Sequence, residues 1–150
     1  MTELQFWNII NQLDWKKDTD DAVVAPAIRL LSTSSVGDIF SFYDILANKL
    51  YQLDTHSHAE QIGEGSYRSD KYFSVDAFLY ARACVVANGK KAFDHILRHP
   101  KDMPKDLSFE PLLNVAAKAY EMKTGEVFDY VPAINYETFS NREGWKRKAS

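Results

Sequence analysis

Residues 75–88 read Val-Asp-Ala-Phe-Leu-Tyr-Ala-Arg-Ala-Cys-Val-Val-Ala-Asn. Wound as a helix, this run is apolar on nearly every side. Such a helix has no face to offer water, so other elements must wrap it. Ser74 is a natural N-cap with Asp76 in the first turn, and Gly89 supplies the stop. The run is too short, and with Asp76 and Arg82 too charged, to span a bilayer. A central helix of this kind fits a helical bundle.

The rest of the chain supplies the wrapping. Thr2 and Gln5 form a capping box, followed by Phe6, Ile10 and Leu13 at helical spacing, with an end near Asp14. Trp15 to Asp21 reads as a loop. A second helix carries Val23, Val24, Ala27, Ile28, Leu30 and Leu31, with Pro26 in its first turn or breaking it. Ser35 caps a third helix, with Asp38 near its positive end. Its stripe of Ile39, Phe42, Leu46, Leu50 and Leu53 allows it to run to about Ile62. Gly63 to Ser66 ends it and Tyr67 to Phe73 is a loop. Lys90 to Arg98 forms a short helix with Phe93, Ile96 and Leu97 inward. Pro100 and Pro104 bracket a loop. Ser108 caps a last long helix with Pro111 in its first turn, Leu112, Leu113, Ala116, Ala117 and Tyr120 inward, and Gly125 at its end. The final residues place Phe128, Tyr130, Tyr136, Phe139 and Trp145 in an irregular frame. The expectation is one all-α domain over residues 1–150. It is a bundle of roughly five to seven helices, strapped by an aromatic C-terminal segment that holds at most one short helix.

A chain of 150 residues with 45% hydrophobic side chains can bury a core without staples. Net charge is −3, with 11 acids against 6 bases in residues 1–75 and 12 bases against 10 acids thereafter. The one basic cluster is Lys146-Arg147-Lys148, which reads as a solvated end. With no basic stripe, nucleic acid is not expected as a partner. A single cysteine, Cys84, precludes an intrachain disulfide and fits a reducing compartment. The N-terminus lacks the basic and apolar regions of a signal peptide. The chain is expected to be cytoplasmic, with no membrane association.

Phosphate-binding loops, dinucleotide glycine patterns, serine elbows and paired zinc cysteines are all missing. Cys84 sits in the most apolar helix and reads as inert packing. Three groups remain. In Asp54-Thr55-His56-Ser57-His58-Ala59-Glu60, a continuing helix would pair Asp54 with His58 and His56 with Glu60, two ligands per face. A metal would need a third ligand such as Asp70 or Asp76, and the simpler reading is a solvated helix end with ion pairs. Arg82 shares a face with core residues and so needs a partner, for which Asp54, Glu60 and Glu121 are candidates. It either pins helix packing or forms the anion-binding floor of a pocket. The loop Gly63-Glu64-Gly65-Ser66-Tyr67-Arg68-Ser69-Asp70 could cradle a ligand or simply connect.

Several segments resemble a bacterial family known as domain of unknown function number 4240. They are Leu50-Tyr51-Gln52-Leu53-Asp54, Ser74 through Arg82, Val86-Ala87-Asn88-Gly89 and Ala119 through Gly125, together with Phe6-Trp7. The chain departs from that pattern in Val75-Asp76, where many members carry two acids, and at Cys84, where they carry tryptophan. It also departs in its longer connection bearing His56 and His58. The resemblance implies a helical, single-domain bacterial protein and draws attention to Asp76 and Arg82; it carries no activity. The leading expectation is a non-enzymatic module that binds an unknown small molecule or protein through Asp54, Tyr67, Arg68, Asp76 and Arg82, without cofactor or metal. The alternatives are an enzyme drawing acid–base groups from Asp54, His58, Glu60 and Asp76, with no catalytic residue assignable, and an acidic immunity-type protein that blocks a toxin.

Overall fold

The computed structural model describes residues 1–146, and all regular structure in them is helical. Its α-helices are α1 (Glu3–Ile10), α2 (Asp20–Ser32), α3 (Val36–Gln52), α4 (His56–Ala59), α5 (Val75–Ala87), α6 (Lys90–Arg98), α7 (Val115–Thr124) and α8 (Arg142–Trp145). Two 3-10 segments, Pro100–Asp102 and Glu110–Asn114, precede α7. The fold is all-α as expected. The eight α-helices among the described residues exceed the anticipated five to seven because α4 and α8 are single turns, too short for a periodic stripe to reveal. Arg147 and Lys148 of the basic cluster lie outside the described residues; Lys146 pairs with Glu143.

Side-chain caps set most of the helix starts. Thr2 and Gln5 form the complete capping box at α1. Thr19, Ser35, Thr55 and Ser74 each accept a backbone N–H from the first turn of α2, α3, α4 and α5. At the end of α7, Gly125 takes a left-handed φ of 73°, a conformation that costs glycine little.

α5 is central, as its composition requires. Phe78, Leu79, Ala81, Arg82 and the run from Ala83 to Ala87 are all buried. It packs on α3, α6 and the 3-10 turn at Glu110, while α7 closes against α2 and α3. One apolar cluster runs from Phe6 to Ala119 and includes Phe42, Leu46, Leu50 and Phe78, all at 0% exposure. Burying each such side chain is worth about 1.5–3 kcal/mol.

Three boundaries differ from expectation. α2 starts at Asp20 and carries Pro26 in its interior, beyond its first turn, at the expense of one hydrogen bond to the Ala22 carbonyl. The last long helix does not open with a Ser108 cap. A 3-10 turn begins at Glu110 after Phe109, with Pro111 at its start and no side-chain cap, and α7 follows only from Val115. α3 stops at Gln52 rather than reaching Ile62, because Asp54 turns out of the helix and Thr55 starts a new turn.

Residues 126–146 form the strap. From Val127 to Ser140 exposed and half-buried residues alternate strictly, and no described residue after Ala119 is fully buried. Alternation at period two marks an extended chain lying on a surface.

Candidate functional site

α4 lies between α8 and the 3-10 turn at Pro100. Its exposed flanks are indented by three adjoining hollows. One, of about 480 Å³, is lined by Thr55, His56, His58, Pro100, Gly144 and Lys146 among others. The second, of about 370 Å³, lies between Glu60, Gln61, Ser66, Tyr67, Arg68 and Lys105. The third, of about 410 Å³, lies between His56, Glu60, Tyr67, Arg68, Ser69 and Asp70. The loop after α4 is held in place by Ser66 Oγ, which accepts the Ile62 N–H at 2.9 Å, and by the Tyr67 N–H donating to Ala59 O at 2.8 Å.

The α4 side chains divide into free and occupied. His56 Nδ1 lies 3.0 Å from Glu60 Oε1, the i,i+4 pair expected from the sequence. His58 is buried, and both its ring nitrogens are used: Nε2 faces the Ile96 carbonyl at 2.9 Å and Nδ1 faces Thr55 Oγ1 at 2.6 Å. A carbonyl only accepts, so Nε2 carries the hydrogen and the Thr55 hydroxyl donates to Nδ1. Burial pushes the His58 pKa below its ordinary 6.5, against the smaller opposing pull of the Ile96 carbonyl. The expected Asp54–His58 pair does not form, since Asp54 precedes α4. No three His, Cys, Asp or Glu residues converge among the described residues.

Arg68 is exposed and has no ion-pair or hydrogen-bond partner among the described residues, while Tyr67 is half-buried beside His56, Phe73 and Trp145. Lys105 Nζ reaches the Gln61 and Lys101 carbonyls at 2.7 and 3.1 Å and meets no carboxylate there. Two cations therefore border one hollow without a carboxylate partner.

Asp54 and Arg82 are both at 0% exposure, under the strap. Arg82 Nη1 donates to the carbonyls of Leu50 and Tyr136, and Nη2 to Thr138 Oγ1, each at 2.9 Å. Its guanidinium lies 4.7 Å from the Phe78 ring centre. Burial pulls its pKa down to about 10, with the nearby Asp54 and Glu137 acting the other way. The expected carboxylate partner is absent: Arg82 forms no ion pair with Asp54, Glu60 or Glu121 among the described residues, because backbone carbonyls fill that role. Asp54 Oδ1 accepts from the Phe139 N–H at 3.2 Å and from Trp145 Nε1 at 2.8 Å, and Oδ2 accepts from the Asn141 N–H at 3.0 Å. Phe139 is held at φ 77°, an uncommon conformation for a bulky residue. Asp76 is exposed at the start of α5, apart from all three hollows.

The five candidates thus separate. Tyr67 and Arg68 share the α4 hollows, Asp54 and Arg82 share the strap, and Asp76 joins neither. Cys84 is buried, and burial raises its thiol pKa. Two residues were not anticipated. Asp44 accepts from the Tyr130 hydroxyl at 2.6 Å and the Ala133 N–H at 3.1 Å, and Lys49 is buried against Glu3 at 2.9 Å with Phe93 beside it. Asp44 sits in α3 opposite the apolar stripe, where a helical wheel reads ordinary polar surface, whereas Lys49, three residues after Leu46, borders the stripe and is buried with it.

Among curated proteins and solved structures, none matches this chain significantly. Residues 1–122 match the family described as Protein of unknown function (DUF4240), a span that ends just before the strap. With that match covering most of its length, the chain belongs to the DUF4240 family.

Proposed function

We propose that this protein is a non-enzymatic, intracellular bacterial binding module whose ligand seats in the hollows around α4 and presents an anionic group to Arg68 and Lys105. The single observation that carries this reading is the pairing of two cations, neither matched by a carboxylate, on the rim of one concave surface. An exposed cation pair at the edge of a hollow favours carboxylate or phosphate, and arginine can bind either through two parallel hydrogen bonds. Tyr67, edge-on to His56 and Trp145, adds an apolar wall.

The acid–base groups an enzyme would draw on support binding over catalysis. Both His58 nitrogens and both Asp54 carboxylate oxygens already hold protein partners. Glu60 faces His56.

The test is a thermal-shift screen with simple carboxylates, phosphates and nucleotides, on the wild-type protein and on Arg68→Ala. A ligand at a hundredfold excess over its Kd stabilises the fold by about 2.7 kcal/mol. The expected result is a rise in melting temperature with an anionic class that Arg68→Ala removes without lowering the melting temperature of the free protein. A rise that persists undiminished in Arg68→Ala contradicts the assignment.

A further inference from the structure

The strap lies on the bundle as a bound peptide lies in a groove. Its main chain is gripped by charged side chains of the helical core. Asp44 takes the Ala133 N–H, Arg82 takes the Tyr136 carbonyl, and Asp54 takes the N–H groups of Phe139 and Asn141. Contacts of this kind read backbone and not sequence. Sequence is read at the two ends and, between them, through the Thr138 hydroxyl on Arg82 and the Tyr136 hydroxyl 2.7 Å from that of Tyr43. Near one end, Tyr130 stacks on Phe40 at 4.3 Å between ring centres and Phe128 meets Tyr43 edge-on at 5.6 Å. At the other end, Trp145 enters a nest of His56, Tyr67, Phe73 and Phe78. Main-chain hydrogen bonds for affinity and alternate side chains in pockets for specificity are the logic of extended-peptide recognition.

The fully buried apolar cluster lies within residues 6–119, and the strap adds only the half-buried Phe128, Tyr136 and Trp145 at its edge. Asp44, Asp54 and Arg82 lie within the family-matched residues, and the strap groups they hold all lie beyond them. Lifting the strap would return the Arg82 and Asp54 charges to water and so strand no dry charge, which lowers the cost of release. The junction is suited to movement: Gly125 has φ 73° with nothing near its α-carbon face, and Val127 is 80% exposed.

We infer that the face bearing Asp44, Arg82 and Asp54 is a binding groove for an extended, aromatic-bearing peptide, and that residues 128–145 are its tethered occupant. The groove adjoins the anion site on α4, since His56 and Tyr67 border both, but the two readings stand or fall on different measurements: anion-induced stabilisation lost in Arg68→Ala for one, peptide exchange for the other.

The test uses the full chain with a protease recognition sequence inserted between Gly125 and Glu126, cleaved while folded. A fluorescent peptide of residues 126–146 is then titrated by polarisation while circular dichroism monitors the helices. The expected result is saturable binding of the peptide with helicity unchanged. Binding to the uncleaved chain should be weaker by about tenfold or more, because a short tether gives the resident strap an effective concentration on the order of mM. A peptide carrying Tyr136→Ala and Trp145→Ala should bind about tenfold or more weakly, as loss of two half-buried aromatic anchors predicts. No exchange while the helices stay intact, loss of helicity as the strap leaves, or equal binding of the doubly substituted peptide would each overturn the inference.

Discussion

The helical core and the strap are held by opposite means. From α1 to α7 the chain buries apolar side chains at 3.6-residue spacing, and the polar groups inside are few. In the strap no residue is fully buried, the spacing is two, and attachment runs through three charged side chains and two aromatic clusters. Apolar burial is non-directional and tolerates shifts, whereas the hydrogen bonds that Asp54 accepts and Arg82 donates fix register. The contrast explains how an irregular segment can follow one path across a helical surface without forming a long helix or a sheet of its own.

Substitutions should separate the two layers by size and by kind of effect. Phe42→Ala, at the core centre, is expected to cost about 3–5 kcal/mol, visible as a large drop in the denaturant midpoint. Arg82→Met removes three hydrogen bonds and leaves the Leu50 carbonyl short of a donor; about 2–3 kcal/mol is expected, together with loss of strap order. If Arg82→Met melts the core as severely as Phe42→Ala, the two layers are one unit. Asp54→Ala frees three strap donors that water can satisfy once the strap lifts. A smaller loss of about 1–2 kcal/mol is therefore expected, confined to the strap and read as a change in Trp145 fluorescence.

His58 gives a pH prediction within the core layer. Its folded pKa lies below the ordinary 6.5 because it is buried. Below pH 6.5 the unfolded chain takes up a proton that the folded chain refuses. The stability present above that pH is therefore lost progressively as pH falls, by at most about 1.4 kcal/mol per unit within the window. In His58→Gln the decline between pH 6.5 and about pH 5 should be shallower in chemical denaturation; an unchanged profile would remove His58 as its source. The smallest effect expected is for Tyr130→Phe, which loses only the hydrogen bond to Asp44, about 0.5–1.5 kcal/mol, and should loosen the near end of the strap alone.

The core was legible in the sequence because it obeys periodicity. The all-round apolar run of α5, the stripe of α3 and the caps at Thr2, Ser35 and Ser74 each led to an observed element. The aromatic strap was legible as a composition but not as a path. Its anchors come from residues far apart in sequence, such as Asp44 with Ala133 and Asp54 with Asn141, and no local pattern encodes such pairs. The same non-local pull ended α3 early: Asp54 is drawn out to the strap, which a helical wheel of residues 36–62 does not register. The core-facing position of Arg82 shows in the sequence that its charge needs a partner. That the partners are carbonyls rather than an acid depended on where the strap would run. Of the site around α4, the His56–Glu60 pair followed from spacing, while the joining of Tyr67 and Arg68 with Lys105 required the fold to bring two loops together.

Amide hydrogen exchange read by mass spectrometry tests the two-layer account most directly. The account predicts that residues 128–141 exchange through openings that leave α3 and α5 protected. It further predicts that Asp54→Asn speeds exchange in the strap alone. If the strap and α5 exchange with one common free energy, and Asp54→Asn shifts both together, the strap is an integral part of a single cooperative fold and the account is contradicted.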